Sequence, residues 1–165
     1  MSEYDHDYTV EYCKHYDYIF ATYWQRTYRV NFYLLFPVVT LEQIQHFYSH
    51  HLGLVETPTA LNGDASAYDV IPNDGEHSIG SVISTTCVKR TPKWLAILSH
   101  ECCHVAFDTL FGRGAEINPT YGASNEHYTY LQQEIFEVAL NMLLDGTQML
   151  TSKRKTNASR RKKSK

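Results

Sequence analysis

No apolar run in the 165 residues approaches the 18 or more that a membrane-spanning helix needs. The acidic, tyrosine-rich opening from Met1 to Asp7 lacks the basic and apolar regions of a signal peptide. No internal repeat is present. The four cysteines, Cys13, Cys87, Cys102 and Cys103, form no CxxC pair, which argues for reduced thiols rather than a disulfide framework. Acidic residues are missing altogether from residues 151–165. These absences predict a cytoplasmic chain that is neither secreted nor embedded in a membrane.

What remains is an ordinary globular composition, with 43% hydrophobic and 20% charged residues. The length suits about one domain, able to bury roughly two thirds of the surface its unfolded form exposes. The net charge of -3 conceals a division, because residues 151–165 hold 8 of the 15 basic residues and leave residues 1–150 at a formal -11. The reading is one domain over 1–150 and a basic tail over 151–165. With Lys153-Arg154-Lys155 and Arg160-Arg161-Lys162-Lys163 and no aromatics, the tail is expected to be disordered and to touch nucleic-acid phosphates weakly and without sequence preference.

Along the chain, Tyr4, Tyr8, Tyr12 and Tyr16 recur every four residues and predict a helix with one aromatic side. The β-branched and aromatic stretch Tyr18 to Phe36 predicts two strands, Ile19 to Tyr23 and Tyr28 to Phe36. Thr40 is a cap for a helix from Leu41 to about His51, stopped by Gly53. Strands fit Ala67 to Ile71 and Ser78 to Ser84. Thr91-Pro92 opens a long helix that Gly112 closes, and its apolar residues surround it, which predicts an interior helix. A second helix starts at Ser124 or Asn125, with Leu131, Ile135, Val138 and Met142 at helical spacing, and the composition changes near Asp145-Gly146.

The first long helix contains His100-Glu101-Cys102-Cys103-His104, the HExxH pattern. Residues four apart on a helix stand one above the other, so His100 and His104 can converge on one zinc ion. Glu101 is turned about 100° from His100 and is suited instead to take a proton from water on the metal. Two histidines and a glutamate inside an apolar segment are costly to bury without such a purpose. A third ligand is needed, and Asp108, Glu116, Glu126, His127, Glu134 and Glu137 follow the motif. Metzincins are set aside, because Phe107 and Leu110 stand where their pattern requires glycine and histidine. Asp108, one turn past His104, reads better as an acid beside a ligand than as a ligand.

Asn125-Glu126 lies 21 residues beyond His104. Over about 45 residues, Thr91 to Ile135, the chain resembles the gluzincin zinc peptidases of the thermolysin type, in which an HExxH helix is followed by a helix beginning NExxxD. The resemblance implies that His100, His104 and Glu126 hold one zinc ion and that Glu101 is the general base. Glu134 is the alternative third ligand. Tyr130 replaces the Asp of the family pattern, so a carboxylate brace for a ligand histidine would come from elsewhere, such as Glu134 or Glu137. Tyr130 shares a helix face with Glu126 and is a candidate to stabilise a tetrahedral oxyanion.

The fold class expected is α+β, a minimal zincin whose small, mainly antiparallel sheet packs on the HExxH helix while a second helix carries the third ligand. The small size is similar to that of compact peptidases of phages and bacteria. The function expected is zinc-dependent hydrolysis of peptide bonds in a peptide or protein substrate. The strand Ser78 to Ser84 is either a substrate-binding edge strand or a core strand. A zinc-stabilised binding module acting on nucleic acid or a partner protein is the alternative, disfavoured by the retention of Glu101.

Overall fold

A computed structural model describes residues 7–75, 78–86, 88–114 and 122–163, with the side chains of 122–125, 154 and 156–163 outside that description. Five strands, β1 (Tyr8–Cys13), β2 (Tyr18–Gln25), β3 (Val30–Phe36), β4 (Ala65–Val70) and β5 (Gly80–Thr85), form one sheet in the order β1-β2-β3-β5-β4. β3 and β5 run parallel, and the other three pairings are antiparallel. With three helices, α1 (Leu41–His46), α2 (Pro92–Gly112) and α3 (Gly122–Lys163), the fold is the small α+β arrangement with a mainly antiparallel sheet.

Strand alternation divides the core into two layers. Ile19, Ala21 and Tyr23 of β2, Phe32, Leu34 and Phe36 of β3, and Ile83 of β5 face α2 and α3. Tyr18, Phe20, Leu35 and Val82 face the other way, toward α1 and a π-helical turn over Phe47–His51. Register explains the sorting: Ala21, Leu34 and Ile83 lie in one row across three strands, and side chains in one row share a face. Leu34 is fully buried, a burial that contributes about 1.5–3 kcal/mol.

Tyr8, Tyr12 and Tyr16 do not form the expected helix, and Tyr4 lies outside the described residues. Tyr8 and Tyr12 belong to β1, since an even spacing also keeps side chains on one face of a strand. Both pack toward α2 and α3, whereas Cys13 packs on the opposite side. The expected strand over Ser78 to Ser84 is β5, which has neighbours on both sides and six buried residues. The edge-strand reading is therefore corrected; β1 and β4 are the edges. β5 enters beside β3 at Gly80, where a Cβ would collide with the Asn31 carbonyl oxygen.

α2 begins as its sequence dictates, with Thr91 Oγ1 accepting from Trp94 N at 3.2 Å and Pro92 in the first turn. Its interior placement is only half right. Trp94, Leu98, Cys102, Val105, Ala106 and Leu110 are buried, but Phe107 and Phe111 are 48% and 72% exposed. α2 and α3 lie together over one sheet face, so each presents one side to the core. In α3, Leu131, Ile135, Val138 and Met142 are all buried.

Gly146 does not end α3. A Cβ at that position would run into the Phe36 ring and Ile19, so glycine there permits close approach of helix and sheet. The helix continues to Lys163, so residues 151–163 of the segment expected to be a disordered tail are its last part, and residues 164–165 lie outside the described residues. Among the described residues, no helix is long and apolar enough to cross a membrane.

Candidate metal centre

The HExxH residues occupy the middle of α2. His100 and His104 are exposed, and their Nε2 atoms are 3.1 Å apart. Their rings meet edge to face, with centroids 4.7 Å apart. Phe107 and Phe111 continue the same solvent-facing stripe at helical spacing, with parallel rings 6.2 Å apart. Glu101, about 100° round the helix from His100, is only 9% exposed. Among the described residues, no side chain donates a hydrogen bond to its carboxylate.

The 3.1 Å spacing fits a shared zinc ion. Two nitrogens about 2.0–2.1 Å from a tetrahedral zinc stand about 3.3 Å apart. In the free chain one imidazole donates to the other across the same gap.

Among the described residues, no sequence candidate for the third ligand closes on this pair within the 4.8 Å that would make a three-ligand set. Among the described residues, the one set of three His, Cys, Asp or Glu side chains with ligand atoms mutually within 4.8 Å is Cys13, His46 and His51. Glu126 is exposed on α3 after residues 115–121, which contain Glu116 and lie outside the described residues. His127 is exposed as well. Glu134 points elsewhere: its carboxylate accepts from Tyr23 Oη at 2.5 Å and from Gln25 Nε2 at 3.2 Å, both on β2. Glu137 accepts from Gln133 on the same helix at 3.2 Å.

Asp108, one turn beyond His104, is half-buried. Burial and the nearby Asp69 raise its pKa above the ordinary carboxylate value, and His104 lowers it. The influence of His104 on Asp108 is electrostatic, and no hydrogen bond among the described residues joins the two. Tyr130 is 68% exposed, and no hydrogen bond among the described residues joins it to the histidine pair. The α3 tyrosine that reaches α2 is Tyr128, whose Oη donates to the Cys103 carbonyl at 3.4 Å. Burial, with the Cys103 contact second, pushes its phenol up to about 12, so it stays a neutral donor.

Sequence reasoning missed the cluster at Cys13, His46 and His51. The available signal was only the concentration of His46, His50 and His51 within six residues, with the His46 and His50 rings stacked 4.9 Å apart. Burial first, then His50 and His15, lowers the pKa of His46. Burial first, then His50 and His46, lowers that of His51 against an opposing effect of Glu11. No family model, curated protein or solved structure matches the chain.

Proposed function

We propose that the chain is a zinc-dependent peptidase of the gluzincin kind, working in the cytoplasm on a peptide or protein substrate. The observation that carries this reading is the approach of His100 Nε2 and His104 Nε2 to 3.1 Å on the open side of α2. His100 and His104 hold the metal, with Glu126 the third ligand supplied by the gluzincin resemblance. Zinc bound there would supply Lewis acidity toward water and the scissile carbonyl. Glu101 takes a proton from the attacking water and passes it to the leaving amine nitrogen. Asp108 orients His104. Phe107 and Phe111, on the same exposed stripe, offer apolar surface to the side chains of an extended substrate.

The continuation of α3 to Lys163, with Lys153 and Lys155 exposed, supports a second activity of the same chain. It is weak, salt-dependent contact with nucleic-acid phosphates, independent of base sequence.

The test sets wild type beside Glu101→Gln, with zinc content and hydrolysis of an unfolded protein substrate measured on both. Glu101→Gln should keep its zinc while hydrolysis falls by about 10²–10⁴-fold. Equal rates in the two proteins end the peptidase reading.

A further inference from the structure

We propose that Cys13, His46 and His51 form a second metal centre, for a borderline-soft divalent ion of the zinc class, on the side of the sheet opposite α2. Its thiolate signature does not depend on the peptidase reading, whereas the count of two metals does. The three residues come from three places: the end of β1, the end of α1, and the end of the π-helical turn. Their ligand atoms lie within 4.8 Å of one another. Strand alternation puts Cys13 on this side, because Tyr12 beside it packs toward α2 and α3.

The π turn is what makes the cluster possible. At about 100° per residue, positions five apart on an α-helix point about 140° from each other, so His46 and His51 would diverge. Here Leu52 N donates to Phe47 O at 3.2 Å, five residues back, in a turn one residue wider than an α turn. That wider turn brings His51 round to His46, with ring centroids 5.6 Å apart. Such turns are rare and are found frequently at functional sites.

Buried neighbours fix the ligands in place. Tyr18, fully buried, holds His46 Nδ1 through its hydroxyl at 2.9 Å, and the Tyr16 ring lies 4.3 Å from the His46 ring. His51 lies against Phe20 at 4.3 Å and Phe47 at 5.6 Å between centroids. Polar partners and apolar walls of this sort orient metal-binding side chains. One thiolate and two imidazoles select zinc-like ions over magnesium or calcium, which prefer oxygen. Bonds of about 2.0–2.3 Å require the ligand atoms to close by roughly 1 Å, a movement open to the exposed His51. Three protein ligands leave a fourth position for water. The bound metal would tie β1, an edge strand, to the helical cover of the sheet.

The experiment loads the full chain with zinc, for stoichiometry, and with cobalt(II), for absorption spectroscopy. Wild type should bind two equivalents and show a thiolate-to-cobalt charge-transfer band. Cys13→Ser and His51→Gln should each bind one equivalent without the band. His51 is at the surface, so its variant keeps the fold although the ring contacts with Phe20 and Phe47 are lost. His100→Ala/His104→Ala should bind one equivalent and keep the band, so loss of the α2 site is read separately. Wild type without the band overturns the proposal. So does a band that survives Cys13→Ser, which assigns the thiolate to another cysteine.

Discussion

The two histidine clusters lie on opposite sides of one sheet and are assembled in opposite ways. On α2, His100 and His104 meet because a regular helix repeats its direction every four residues, and the pair stands in solvent. Under the other face, His46 and His51 meet because the helix is irregular, and Cys13 joins them from a strand 33 positions earlier in the chain. The first cluster needs only local geometry. The second needs a strand register, a widened turn and the rings of Tyr18, Phe20 and Phe47. The exposed pair on α2 leaves room for a reacting substrate, whereas a metal at the second cluster would tie a strand to the helical cover of the sheet.

Removing His100 and His104 together has the largest expected effect. The double alanine variant should lose α2-bound zinc and reduce hydrolysis of an unfolded protein to background, while the Cys13 cluster keeps its own metal. Hydrolysis that persists would erase the functional difference between the two clusters.

Packing on the α2 and α3 side offers the next effect. Gly146→Val pushes new atoms into Phe36 and Ile19 and should cost about 1–3 kcal/mol. Calorimetry should show the midpoint falling by several degrees, about 2–8 °C for each kcal/mol. An unchanged midpoint would mean that α3 does not approach the sheet as closely as described.

Asp108→Asn sharpens the contrast between a braced and an unbraced histidine. Zinc affinity at the α2 site should fall about 10-fold, read by competition with a chelator, with no change at the Cys13 cluster. The metal-free protein carries a pH signature too. Burial raises the Asp108 pKa in the fold, so the folded state binds this proton more tightly than the unfolded chain. Stability therefore decreases as pH rises from the ordinary carboxylate range through the raised value. The amide, which has no proton to lose in this range, should flatten that slope in the variant.

The smallest effect on hydrolysis belongs to truncation after Leu150. The rate should stay the same, while weak binding to a polyanion at low salt is lost. Equal polyanion binding by the full and shortened chains would remove the role assigned to the end of α3.

Much of the fold was legible because its signals are local. Thr91-Pro92 marks the start of α2, the β-branched residues of 18–36 mark β2 and β3, and Leu131, Ile135, Val138 and Met142 mark the buried side of α3. Local signals misled where two structures share a period. Four-residue tyrosine spacing suits a strand as well as a helix, and the composition change near Asp145-Gly146 does not reveal that Gly146 packs against Phe36 inside α3. The position of β5 between β3 and β4 depends on nonlocal pairing that no spacing within Ser78 to Ser84 encodes. The HExxH pair was visible for the same reason that α2 was, whereas the partners of Glu134, Tyr23 and Gln25, lie more than 100 positions away.

The central claim is that the α2 histidines hold a hydrolytic zinc, and a chelation and add-back titration on His51→Gln tests it most directly, because the second cluster is then disabled. Hydrolysis should vanish on chelation, return in proportion to added zinc, and level off at one equivalent per chain. Hydrolysis that survives chelation, or zinc that binds at one equivalent without restoring any, would contradict the account.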